Sequence, residues 1–195
     1  INGVKVAEFE RKFSEKVGQK HSLMVNSGSS ANLVMIAGLK KYFGWKEGKD
    51  KVVTSVCCFP TTAAVIPQNG LIPVFVDVNF EDLNIDLDKV EERIDSDVKA
   101  IFFAPTLGNP GNFQKLIDIC EKHKIYLILD GCDCLGTTYN NKELNEYVIS
   151  SSCSFFASHH ASCIQAGMVS SNNQELIKIC RSLSTWSRRC ECRGI

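Results

Sequence analysis

Short apolar runs alternate with helix-like stretches along nearly the whole chain, and that alternation constrains the fold more than any single residue does. Apolar runs fall at 21–26, 51–55, 72–77, 100–104 and 126–130, with two shorter ones at 153–156 and 168–171. Helical spacing recurs between them. Val4, Phe9, Phe13 and Val17 mark one face of a helix over 4–18. Further helices are predicted over 31–43, 61–69 (ended by Gly70), 86–94 (capped by Asp86) and 112–123. Continuous apolar strands, unlike alternating ones, are buried on both faces, which requires a mostly parallel sheet with helices above and below. The pattern predicts one three-layer α/β/α domain, with no repeat, low-complexity segment or linker.

Composition narrows the function classes. Lys plus Arg equals Asp plus Glu at 22 each among 195 residues, so the formal charge is zero. That balance favours neither nucleic acid nor an anionic membrane surface. No apolar run reaches the roughly 18 residues of a membrane span. The N-terminal stretch lacks an initiator Met and a secretory core, and the chain stops just after a Cys-x-Cys. Both ends read as cut, and the sequence reads as a fragment. Ten cysteines is a high count. In a cytoplasmic α/β enzyme disulfides are rare, so Cys120 and Cys180 are expected as small buried apolar residues.

In parallel sheets ligands sit beyond the C-terminal strand ends. Gly28-Ser29-Ser30, Phe59, the segment 106–110, Asp130 and His159 each follow a strand candidate. Each has an ordinary reading and a functional one. Gly28-Ser29 is either a capped turn or a phosphate cradle. Asp130 is either a cap or the partner of a buried cation. Phe59 is either core or a stacking surface for a flat ring. His159 and His160, being adjacent, point in different directions and do not share a metal.

Taken in order, SGSSAN, FPTTAAVIPQNGLIPVFVDV, PTLGNP, LDGCDCLGTTYNNKEL and SFFASHHASCIQAGMV resemble the large domain of the DegT/DnrJ/EryC1/StrS sugar aminotransferase and dehydratase family. The resemblance implies the aspartate-aminotransferase-like fold (fold type I, pyridoxal phosphate), with the C-terminal small domain absent from residues 1–195. In that family the position of His159 usually holds the lysine that binds the cofactor as an imine. A histidine moves protons but cannot form that bond. SGSSAN, TLGNP and SHH point to the nucleotide-sugar 3-dehydratases, which remove the C3 hydroxyl of 4-keto-6-deoxyhexoses on the way to lipopolysaccharide dideoxysugars. By resemblance, Gly28, Ser29 and Ser154 contact the phosphate of pyridoxamine or pyridoxal phosphate, Phe59 stacks on its ring, Asp130 pairs with the pyridinium and His159 is the base. A homodimer is implied as well.

Cys132, two residues after Asp130, and the pair Cys190 and Cys192 resemble the ligands of a [2Fe–2S] cluster in dehydratases acting on CDP-linked sugars, the fourth ligand falling beyond the chain end. That form implies an NAD(P)H-dependent iron–sulfur flavoprotein reductase as partner. Two other readings compete: a cluster-free dehydratase of GDP-4-keto-6-deoxymannose, and a noncatalytic binding or regulatory relative. Departures from the family pattern at Pro105, Leu129, Gln165 and Ala166 bear on turnover. If the glycine replaced by Ala166 needs a positive φ, the alanine is strained.

Overall fold

The computed structural model describes residues 3–163 and 165–188. Seven strands form one sheet: β1 (His21–Val25), β2 (Lys51–Ser55), β3 (Ile72–Val76), β4 (Val98–Phe103), β5 (Tyr126–Asp130), β8 (Ser150–Ser154) and β9 (Gly167–Ser171). A small hairpin, β6 (Thr138–Tyr139) with β7 (Lys142–Glu143), stands apart from it. The sheet order is β1-β9-β8-β5-β4-β2-β3. All neighbours are parallel except β9, which runs antiparallel to both β1 and β8. Among the described residues, six α-helices accompany the sheet: α1 (Val4–Lys16), α2 (Gly28–Phe43), α3 (Pro60–Gln68), α4 (Leu87–Glu92), α5 (Phe113–His123) and α6 (Gln174–Leu183).

The apolar runs are continuous because successive residues enter different cores. Ala100, Phe102 and Ile128 face the layer of α2, α3 and α6, where Met35, Ile36, Ile66, Leu176 and Cys180 are buried. Ile101, Phe103, Leu127 and Leu129 face the opposite layer, with Phe113, Leu116, Ile119 and Cys120 of α5. A third cluster packs α1 through Phe13 and Val17 against Phe155, Ala166 and Met168. The three-layer expectation is met, and Cys120 and Cys180 are core residues as expected.

Strand β8 departs from expectation. The sequence predicted a strand at 153–156, but it is Ser150–Ser154. A run of serines reads as loop, yet Ser150, Ser151 and Ser152 are almost fully buried. Each hydroxyl is satisfied: Ser150 donates to the Ser170 carbonyl at 2.8 Å, Ser151 accepts from Asn145 at 2.8 Å, and Ser152 donates to Asp130 at 3.3 Å. Buried hydroxyls are tolerated on such terms. Helix α2 likewise begins at Gly28, three residues before the predicted start, with the Ser27 side chain accepting from the Ser30 amide. That shift puts the small-residue motif inside the first turn of the helix.

Candidate functional site

The C-terminal ends of β5 and β8 and the starts of α2 and α3 converge on Asp130. Its carboxylate is buried. One oxygen accepts from Asn32 Nδ2 at 2.7 Å and Thr62 Oγ1 at 2.6 Å. The other accepts from Ser152 Oγ and the Cys132 amide, both at 3.3 Å. Four neutral donors from four segments hold one anion, and none of them is a cation. A buried carboxylate so arranged has its geometry fixed with no cationic side chain among its hydrogen-bond donors, which suits a cationic ligand. Its negative charge reaches its neighbours. Burial first, and Asp130 second, push the Cys58, Cys132 and Cys134 thiols up.

The start of α2 lies alongside. A Cβ on Gly28 would sit 2.7 Å from Ser154 Cβ and 2.8 Å from Cys132 Sγ, so only glycine fits between them. Gly167 of β9 likewise passes against the Ser27 backbone, where a Cβ would collide. Two glycines thus let the strand ends and the helix terminus close together. Ser29 Oγ meets Thr61 Oγ1 at 3.1 Å, joining the first turns of α2 and α3. Ser154 Oγ accepts from the Phe156 amide at 3.3 Å. A helix N-terminus flanked by small residues and hydroxyls is suited to an anion, a phosphate included.

Phe59 precedes α3 as its N-cap and is 67% exposed, so the core reading does not hold and its ring is free of the core. His159 lies in the turn after β8, its side chain 20% exposed, with Nδ1 2.8 Å from Asp133 Oδ1. His160 is exposed. Gly28, Ser29, Ser154, Asp130 and Cys132 are therefore brought together, with Phe59 and His159 on the elements that border them.

Sequence reasoning passed over Asn32, Thr62 and Asp133. Asn32 lies one helical turn after Gly28, the spacing that places two residues on one helix face. That signal was present once the helix began at Gly28 and not at Ala31. Asn32 Oδ1 is buried without a hydrogen-bond partner, so the residue that donates to Asp130 keeps unused accepting capacity.

Cys190 and Cys192 lie outside the described residues, so their expected convergence with Cys132 does not enter the geometry. Among the described residues no three His, Cys, Asp or Glu side chains are grouped to hold a metal. Nor is any helix among them long and apolar enough to cross a membrane. Ala166 is not among the positive-φ residues and is buried with Phe155, so the conditional strain at that position is not found.

The model of the DegT/DnrJ/EryC1/StrS aminotransferase family matches residues 1–192. The lipopolysaccharide biosynthesis protein RfbH of Salmonella typhimurium is 40% identical over 187 residues, covering 94% of this chain and 43% of that protein. The GDP-4-keto-6-deoxy-D-mannose 3-dehydratase of Yersinia pseudotuberculosis is 37% identical over 190 residues, covering 95% and 48%. The solved E. coli GDP-4-keto-6-deoxy-D-mannose 3-dehydratase with bound hydrated pyridoxal phosphate superposes with a TM-score of 0.85 at 34% identity, covering 93% of this chain and 46% of that one. The chain spans about half the length of the curated relatives it matches. The fold is thus that of the pyridoxal-phosphate aminotransferases. None of these three names carries a CDP-linked sugar or an iron–sulfur cluster, and the expectation of both gains no support from them.

Proposed function

Because the chain belongs to the DegT/DnrJ/EryC1/StrS aminotransferase family, we propose that it is the cofactor-binding part of a 3-dehydratase acting on a nucleotide-linked 4-keto-6-deoxyhexose. The observation that carries this reading is His159: a histidine, not a lysine, follows β8 beside the Asp130 pocket, with one ring nitrogen held by Asp133. A proton-transfer group is present where an imine-forming amine would be needed for transamination.

The residues divide the work. The α2 terminus with Gly28, Ser29 and Ser154 binds the phosphate of pyridoxamine or pyridoxal phosphate. Phe59 lies against the ring, and Asp130 pairs with the pyridinium nitrogen, its orientation fixed by Asn32, Thr62 and Ser152. When bound, the cofactor supplies an amine for the sugar's 4-keto carbon and a ring that takes up negative charge. His159 removes the proton at carbon through Nε2 and returns it to the departing C3 hydroxyl. Two such sites in a homodimer belong to the same proposal.

The names of the relatives favour a GDP-linked sugar. The CDP-linked form with a cluster and a flavoprotein reductase rests on Cys132, whose sulfur lies against Gly28, together with Cys190 and Cys192, which lie outside the described residues. One experiment separates these. The complete protein, loaded with pyridoxamine phosphate, is offered GDP-, dTDP- and CDP-linked 4-keto-6-deoxyhexoses, with and without iron reconstitution and an electron donor. Mass spectrometry should show loss of the C3 oxygen from the GDP-linked sugar without iron. Deoxygenation of the CDP-linked sugar only with iron and electrons would favour the cluster form. Gain of a C4 amino group would defeat the dehydratase reading, and no change in any sugar would favour a noncatalytic protein.

A further inference from the structure

We infer that Asp133 is a positioning residue for His159, and that the segment 106–110 exists in part to hold Asp133 in place. This rests on the dehydratase reading above and goes beyond it. Asp133 Oδ1 lies 2.8 Å from His159 Nδ1. A carboxylate only accepts hydrogen bonds, so the pair fixes the tautomer in which Nδ1 carries the hydrogen. Nε2 is then left with its lone pair, as a base requires. In the reaction the proton passes from carbon to Nε2 and on to the leaving hydroxyl. Asp133 gains no proton at any stage; it orients the ring and stabilises the imidazolium while it exists.

The turn that carries Asp133 is braced from the loop after β4. Gly108 has φ +80°, and a Cβ there would sit 2.8 Å from the Asp133 carbonyl oxygen. Thr137 Oγ1 donates to the Gly108 carbonyl at 2.9 Å, and the Thr137 amide donates to Cys134 O at 2.9 Å. The glycine of TLGNP therefore serves close approach: it lets the 131–137 turn lie flat against its neighbour, with the Asp133 side chain directed at His159. The Asp133 side chain is 58% exposed, so its contribution is one of orientation more than of buried charge.

The test uses the complete protein with 15N-labelled histidine. Two-bond 1H–15N spectra, with His159 assigned by its loss in His159→Asn, should show the hydrogen on Nδ1 in the wild type. In Asp133→Asn the amide can donate, and His159 should shift toward the opposite tautomer. In the same variant kcat for deoxygenation should fall about 10- to 100-fold, part of what general acid–base catalysis supplies. KM and cofactor affinity should stay within twofold, and Asp133→Glu should restore part of kcat. An Asp133→Asn enzyme with kcat within twofold of wild type, or a wild-type His159 carrying its hydrogen on Nε2, would overturn the inference. If no sugar is deoxygenated by the wild type, the functional reading fails, while the tautomer measurement still decides whether Asp133 sets the ring.

Discussion

Gly28 and Cys132 approach so closely that a β-carbon on the glycine would lie 2.8 Å from the cysteine sulfur. The contact joins the first turn of α2 to the turn after β5, the strand that ends at Asp130. Gly28→Ala must push one of these apart. Overpacking of this kind costs about 1–3 kcal/mol. We expect that loss in urea unfolding, with at least a tenfold weaker affinity for pyridoxamine phosphate by fluorescence titration. Unchanged affinity would mean that the α2 terminus does not carry the phosphate.

Thr62 is fully buried and donates to Asp130 at 2.6 Å. Thr62→Val keeps the volume but removes a hydrogen bond to a charged group, worth roughly 1.5–3 kcal/mol. Apo stability should fall by about that amount. Asp130→Asn keeps one accepting oxygen but turns an NH2 donor toward two of the four donors, so it should also cost stability, and cofactor retention should drop sharply with the charge gone. If Asp130→Asn binds cofactor as tightly as wild type, the pyridinium pairing is wrong.

His159 has no lysine beside it in the loop after β8. Borohydride treatment of the protein with pyridoxal phosphate should leave no covalent pyridoxyl adduct by intact mass. His159→Asn should abolish deoxygenation while retaining the cofactor, since Asp130, Ser29 and Ser154 are untouched. A reduced adduct mapped to Lys142 or another lysine would show that an imine forms after all.

The cysteines should differ in reactivity. Burial pushes the Cys120, Cys153 and Cys180 thiols up to about 12, so at pH 8 almost none is thiolate. Cys57 and Cys163 are exposed. Iodoacetamide at pH 8 should label Cys57 and Cys163 within minutes and leave the three buried thiols intact until the protein unfolds. Labelling of Cys180 under native conditions would indicate that the α2–α6 packing opens.

Much of this was legible because the sheet is apolar and two-sided. Runs such as 126–130 have few other folds open to them, and Asp130 at the end of one is conspicuous. What the sequence concealed lies where polar residues are buried. Ser150, Ser151 and Ser152 carry no hydropathy signal; they are strand residues only because Asn145, Ser170 and Asp130 satisfy their hydroxyls. Asn32 and Thr62 were quoted within motifs, but their joint aim at one carboxylate depends on two helices meeting, which no local pattern encodes. Asp133 was hidden by the cysteines on either side of it. Cys190 and Cys192 lie outside the described residues.

The carboxylate of Asp130 is gripped by side chains 98 and 68 positions away along the chain, Asn32 and Thr62. Neither grip can form until β1, α2, α3 and β5 have docked, so the pocket comes into being only with the finished sheet. An unfolded chain offers the cofactor nothing, and every molecule bound draws the population toward the native state. Saturation at a hundredfold over the dissociation constant would add about 2.7 kcal/mol. If the proposed cofactor binds there, its supply during synthesis would raise the fraction of chains that reach the native state.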